Sequence, residues 1–379
     1  GPMVAGKVHL GSAWYYLLAL PLFAWPTWFA AAMAAVLAGA LQFPLAYAAG
    51  RHLGDRTLGV LWVVTLAMPG WASFESVGFA STNTMRTLVI ATVYCLLRAR
   101  DTPHMLWWFA AGLSTSAAIH AHPSCAWLAL IVVACAWRRP GRIARHLRDS
   151  VAALAAAAIG LLLLFVPAFL APASIVDTTR AVADSNIGLA NLWRLPALLW
   201  SVAWAGPHAI MASVYPPASA FAGNVATASA LLGLVGALRG VVAAIAGHRA
   251  AQWALALLLV ATASVALIRP TTPVYMTYSI IPGYALLVAC GWQAFSRSLV
   301  LFVVPALAAA AIAGVGVVHS MQQGGGRVDT HFLIDVTHPP SATPVATDIW
   351  LPAIEVDPLG RALCADPMPV YGALAYALD

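Results

Sequence analysis

Charge is what this chain has least of. Only 8% of its 379 residues are Asp, Glu, Lys or Arg, against 62% hydrophobic, and the mean hydropathy is +0.84. A soluble domain carries about 25% charged residues. This chain cannot cover a water-facing surface and reads as an integral membrane protein. Lysine is nearly missing: of the 19 basic residues, all but Lys7 are Arg. These Arg are dispersed and form no stripe with interleaved aromatics, which argues against nucleic acid as a partner. The formal charge of +6 has a simpler origin in cytoplasmic loops held by positive residues. The five Cys have no CxxC spacing and four lie in apolar segments, so neither a disulfide framework nor a zinc site is indicated. No fixed-period repeat and no signal peptide is visible, and the leading Gly-Pro before Met3 is set aside as a protease scar.

What is present is a series of apolar runs. A spanning helix needs roughly 20 mostly apolar residues. Windows that meet or approach this are 27–48, 57–73, 84–98, 104–120, 123–138, 150–170, 220–246, 252–268, 274–294 and 299–318. The clearest orientation signal is WRRPGRIARHLR, residues 137–148, which reads as a short cytoplasmic loop holding five Arg. Alternation then puts Arg51, Arg56, Arg98, Arg100, Arg249 and Arg297 on that side, with Arg239 near the cytoplasmic end of its window. Lys7, Arg86, Arg180, Arg194, Arg269, Arg327 and Arg361 fall outside. The expected fold is all-α: a polytopic helical membrane protein of about ten spans, with outer juxtamembrane helices and a small external C-terminal segment. Residues 9–318 form the helical core, and the Pro-rich, more polar 319–379 the extracytoplasmic segment. In the outer stretch 171–219, NLWRLPALLWSVAWAGPHAIM reads as an interfacial helix, with Trp193, Trp200 and Trp204 at headgroup level.

The same alternation places the start of the chain outside. Residues 12–26, within HLGSAWYYLLALPLFAW, then form a juxtamembrane helix ending near Pro26, before the first full span. An N-terminus on that side needs something to deliver it, so a preceding span, or a partner subunit supplying it, is expected.

Four stretches together resemble the polyprenyl-phosphate-dependent membrane glycosyltransferases of the GT-C class. The likeness is especially to bacterial relatives of protein mannosyltransferases and of the aminoarabinose transferase acting on lipid A. HLGSAWYYLLALPL, a span and YAAGRHLGDRTLGVLWVVTLAMPGW are similar to that class's "GP-x-YY-LL" helix, second span and "ARRLFG" turn. FESVGFASTNTMRTLVIATVYCLLRAR lies where the class has its second outer loop. AAGLSTSAAIHAHPSCAWLAL is similar to its "LHPSA" hairpin, and RPTTPVYMTYSIIPGYALLVACGW to its "R-x-x-Y-x-x-x-x-P" segment. The resemblance covers most of residues 9–294. It implies transfer of a sugar from a polyprenyl-phosphate donor to a lipid, glycan or protein acceptor at the outer membrane–water boundary. It also implies a carboxylate in the first outer loop that acts on or orients the acceptor. The chain departs there, because residues 3–13, MVAGKVHLGSA, hold no acid.

Candidate site residues gather at the outer ends of the windows. Glu75, in GWASFESVGFAST, reads either as a boundary anchor or as an acid/base group whose pKa is raised by partial burial. Arg269 emerges outside span 252–268. It reads as a fork for a phosphate leaving group or as an Arg snorkelling to headgroups; the resembled class has a basic residue there. Tyr275 and Tyr278 line the same pocket or belong to the aromatic belt. His120 and His122 flank Ala121. Two residues apart on a helix they diverge, and without a carboxylate they make a poor zinc pair, which leaves substrate hydrogen bonding or loop closure. Arg86 with Asn83, and Asp177, Arg180, Asp184 and Arg194, suit sugar hydroxyls or phosphate, or an ordinary salt-bridged helix. His9 points to the cleft more weakly. QQGGGR, 322–327, is a hinge and not a phosphate loop.

The leading expectation is therefore a membrane glycosyltransferase with no cofactor and no metal, active on the extracytoplasmic face. The Ala- and Arg-rich, Lys-poor composition suggests a GC-rich genome and hence a bacterial inner membrane. The alternatives are a non-catalytic lipid- or polymer-handling protein on the same fold, and a transporter. Transporters place charges at mid-membrane or show paired half-repeats, whereas the ionisable groups here crowd one face.

Overall fold

The structure is a computed structural model, and the residues described are 3–4, 8–9, 20–21, 23–25, 28–68, 84–102, 104–138, 143–170, 188–208, 211, 220–268, 278–294, 299–322, 354–356 and 362–364. The helices are α1 (Trp28–Ala40), α2 (Gln42–Leu53), α3 (Arg56–Ala67), α4 (Met85–Asp101), α5 (Met105–Ala121), α6 (Trp127–Arg138), α7 (Ile143–Leu170), α8 (Leu195–Trp200), α9 (Ala220–Ile245), α10 (Arg249–Ile268), α11 (Ile281–Gln293) and α12 (Leu299–Gln322). A 3₁₀ turn, Pro123–Ala126, joins α5 to α6, and another, Leu189–Arg194, leads into α8. Outside the helical core lie two short antiparallel pairs: β1 (Met3–Val4) with β2 (Val8–His9), and β3 (Ile354–Val356) with β4 (Ala362–Cys364).

The protein is a polytopic helical membrane protein. Met33–Leu53, Ala220–Ile245 and Arg249–Leu267 are long and apolar enough to cross a bilayer. Arg56–Ala67, Ser124–Trp137 and Val300–Gly316 are shorter apolar helical stretches. Exposed Leu37, Leu238, Val242, Val300 and Leu301 give the bundle an apolar exterior, as a hydrocarbon solvent requires. The span Met33–Leu53 is built from α1 and α2 together, interrupted at Leu41. Pro44 accounts for the break: it has no N–H for the Ala40 carbonyl, and its ring crowds that oxygen. Thr87 Oγ1 of α4 donates to the adjoining carbonyls of Ala38 (3.0 Å) and Gly39 (3.3 Å).

At the centre stands α11, in which every residue from Ile281 to Trp292 is buried. It packs against α3, α4, α9, α10 and α12. Small residues permit the close approaches. A Cβ on Gly291 would overlap the Gly236 carbonyl of α9, and one on Gly112 of α5 would overlap the Ala153 carbonyl of α7. In lipid, helices associate by such contacts rather than by hydrophobic exclusion.

Chain direction alternates, so the two ends differ. One end collects the turns α2–α3, α4–α5 and α9–α10 and the C-terminus of α11. The α2 end meets the α4 end through His52 Nδ1 and Asp101 Oδ2, 3.2 Å apart. Asp55 caps α3, its Oδ1 accepting from the Leu58 N–H at 2.9 Å. This end carries Arg51, Arg56, Arg98, Arg100, Arg148 and Arg249.

Element boundaries depart from the apolar windows where charge or proline intervenes. The segment 137–148 is not wholly loop, because α6 runs through Arg138 and α7 starts at Ile143. The charged first turns of α7 are helical although they are not apolar. The helix expected from 274 begins at Ile281, after a turn at Tyr278–Ile280, with Pro282 in its first turn, where a missing N–H is harmless. Most of the expected juxtamembrane helix 12–26, and most of 319–379, lies outside the described residues.

Candidate functional site at the far end of the bundle

The end opposite the arginine-rich turns is where most of the candidate residues were expected. Arg86 sits in the first turn of α4 and is fully buried. Its guanidinium carbon lies 5.3 Å from the ring centroid of Tyr278, which is buried just before α11. A buried Arg costs much desolvation energy unless it is well partnered, and an aromatic face supplies attraction worth about 2 kcal/mol when dry. The contact joins the chain emerging from 69–83 to the chain emerging from 269–277. Glu75, Asn83, Arg269 and Tyr275 belong to these two segments and lie outside the described residues. Thr84, two residues before Arg86, and Ser279, next to Tyr278, are also buried.

The two histidines do separate jobs. His120, in the last turn of α5, is buried, and its Nε2 donates to the Gly160 carbonyl of α7 at 2.8 Å. Its Nδ1 is buried without a hydrogen-bond partner among the described residues. His122 leaves the helix and caps the turn Pro123–Ala126. Its Nδ1 accepts from the Ser124 N–H at 3.1 Å and from the Ser124 hydroxyl at 2.8 Å. Burial pushes His122 down to about 4, so the ring is neutral at ordinary pH. The pair does not converge on one point. Among the described residues no group of three His, Cys, Asp or Glu side chains is placed to hold a metal.

Of the remaining candidates, His9 pairs with Met3 across β1 and β2. Arg194 is buried at the end of its 3₁₀ turn, while Asp177, Arg180 and Asp184 lie outside the described residues. His208 was not singled out from the sequence. Its ring stacks on Trp204 at 5.0 Å, and Trp204 stacks on Trp200 at 5.3 Å. The signal for this column was the i, i+4, i+8 spacing of the three residues. A cleft of about 410 Å³ opens at the arginine-rich end, lined by Gly54, Asp55, His248, Arg249 and Gln293 among others.

Among solved structures, the chain is similar to the crystal structure of ArnT from Cupriavidus metallidurans bound to undecaprenyl phosphate. The TM-score is 0.50 at 17% identity, over 86% of this chain and 57% of that one. The chain has a GT-C-like fold. It is also similar to the Archaeoglobus fulgidus oligosaccharyltransferase in complex with Zn and sulfate, with a TM-score of 0.43 at 14% identity over 82% of this chain and 44% of that one. The chain thus spans little more than half the length of the ArnT structure. No protein-family model matches the chain, and no curated protein matches it by sequence.

Proposed function

We propose that the protein is a membrane glycosyltransferase. It moves a sugar from a polyprenyl-phosphate donor to a lipid, glycan or protein acceptor at the outer face of a bacterial cytoplasmic membrane. The observation that carries this reading is the buried Arg86 guanidinium against Tyr278, at the junction of the segments that hold Glu75 and Arg269. The GT-C-like fold, found in an ArnT structure bound to undecaprenyl phosphate, adds support.

The chemistry follows from charge. As the sugar C1–O(phosphate) bond breaks, the leaving polyprenyl phosphate gains negative charge. Arg269 stabilises that charge with two parallel hydrogen bonds, and Arg86 adds fixed positive potential in a site of low dielectric. Glu75 takes the acceptor hydroxyl proton as the new O–C1 bond forms, the work of a general base within reach of the acceptor. His120 and His122 bound the acceptor side, and Asn83, Tyr275 and His9 contact sugar hydroxyls. A non-catalytic lipid-handling role on the same fold is the second reading; it needs a positive site for the lipid phosphate, to which Arg86 contributes, and no acid/base group.

The test uses protein in nanodiscs, with undecaprenyl phosphate and the uncharged undecaprenol as paired ligands, and transfer from a radiolabelled polyprenyl-phosphate sugar. Undecaprenyl phosphate binds better than the alcohol, and Arg269→Ala removes the difference. Glu75→Gln leaves binding intact and abolishes transfer. Equal binding of the two ligands overturns the donor assignment. Undiminished transfer by Glu75→Gln removes Glu75 from the site, and phosphate-dependent binding without transfer by the wild type selects the second reading.

A further inference from the structure

The interruption of the span Met33–Leu53 is met by a side chain from another helix. Thr87, buried in the first turn of α4, shares its one hydroxyl proton between the Ala38 carbonyl at 3.0 Å and the Gly39 carbonyl at 3.3 Å. Both carbonyls lie just before the break at Leu41, and the small residues that carry them leave the backbone open to a neighbour. The contact sits about 9 Å along the helix from Met33, inside the part of the chain that crosses the hydrocarbon.

This bond differs from those of other buried threonines. Thr65, Thr115 and Thr262 each donate to the carbonyl four residues earlier in their own helix, at 2.8, 2.8 and 2.6 Å. Such back-bonding is open to any Thr inside a helix and fixes nothing about a neighbouring one. Thr87 has no helical carbonyl to return to, because residue 83 precedes α4. Its hydroxyl reaches across to the α1–α2 span instead, and so ties down the rotation of the turn that carries it.

The residue before it is Arg86. Successive helical residues point about 100° apart. With Thr87 held against α1–α2, Arg86 is turned to another side of α4, where its guanidinium carbon lies 5.3 Å from the Tyr278 ring centroid. The turn is thus gripped on one side by a backbone and on the other by a ring. We infer that Thr87 is a positioning residue for Arg86. Its bond to the interrupted span sets the rotation of the first turn of α4, and that rotation sets where the positive charge is presented to a phosphate. The inference rests on the reading of Arg86 as part of a phosphate site.

The test compares Thr87→Val, which keeps the branched shape and removes the donor, with Thr87→Ser, which keeps the donor. Each is assayed in nanodiscs for binding of undecaprenyl phosphate and of undecaprenol. Thr87→Val loses about 5-fold of the preference for the phosphate, the size of one net hydrogen bond, and Thr87→Ser retains it. Full preference in Thr87→Val, or lost preference in Thr87→Ser, overturns the inference and leaves the phosphate site standing. A wild type without preference removes the phosphate site itself, and the positioning is then decided by melting temperature without ligand. There the double variant Thr87→Val/Tyr278→Leu loses clearly less than the sum of the two single variants, because both act on one guanidinium. Additive losses make Thr87 an independent strut between helices and overturn its link to Arg86.

Discussion

At one end of the bundle Arg51, Arg56, Arg100 and Arg148 stand exposed; at the other, Arg86 and Arg194 are buried. The first group needs little from the fold. An exposed Arg keeps its hydration, and its main effect is to hold that end on one side of the bilayer. The second group constrains the fold. A buried guanidinium must find internal partners, and Arg86 has the Tyr278 ring at 5.3 Å. Abundance of one residue type therefore says little about its work, which is decided by whether the charge is removed from water.

The largest effect is expected from Arg86→Ala. We expect undecaprenyl phosphate binding or transfer to fall by about 100-fold, the cost of losing one preorganised electrostatic group, with a lower melting temperature in detergent. Wild-type binding by a well-folded Arg86→Ala protein would erase the functional side of the comparison. Tyr278→Leu keeps the bulk and removes the ring; binding should fall by up to about 30-fold, in line with about 2 kcal/mol for a cation–π contact shielded from water. Titrating both variants with the phosphate and the alcohol separates lost charge from lost shape.

A smaller effect is expected at His122. Its folded value of about 4 lies below the ordinary 6.5, so between those values the unfolded chain binds the proton and the folded one does not. Stability from this group is complete above 6.5 and declines as pH falls towards 4. His122→Asn retains a side-chain cap and should flatten the fall in melting temperature between pH 7 and pH 5. Smallest of all, Arg100→Gln at the exposed end should change stability by less than about 0.5 kcal/mol and leave ligand binding unchanged. A large loss there would mean that the exposed end also belongs to the binding machinery.

The helical class and the segregation of arginine were legible in the sequence because both follow from local composition. Leu, Ala and Val runs mark helices without reference to the rest of the chain. Boundaries were less legible where a charged turn continues a helix, as at Arg145 and Arg148 in α7, or where Pro282 delays a helix start. Pairing was not legible at all. Arg86 and Tyr278 each stood out as polar groups at the end of a window, but nothing local shows that one ring lies under the other guanidinium. The Trp200–Trp204–His208 stack was legible only in part: both Trp stood out as interfacial, but the spacing alone does not show that the imidazole lies over the indole. Glu75, Asn83, Arg269 and Tyr275 rest on the sequence reading alone.

The burial of α11 on all sides bears on how the protein is made. Helices with a lipid-facing flank can wait in the bilayer, because hydrocarbon is an acceptable neighbour for that flank. For α11 the resting place is a slot between elements synthesised before and after it, and Gly291 enters it only where Gly236 offers a bare backbone. Biogenesis must therefore keep that slot open until α11 leaves the translocon, and a bulky residue at Gly236 would shut it before α12 is translated.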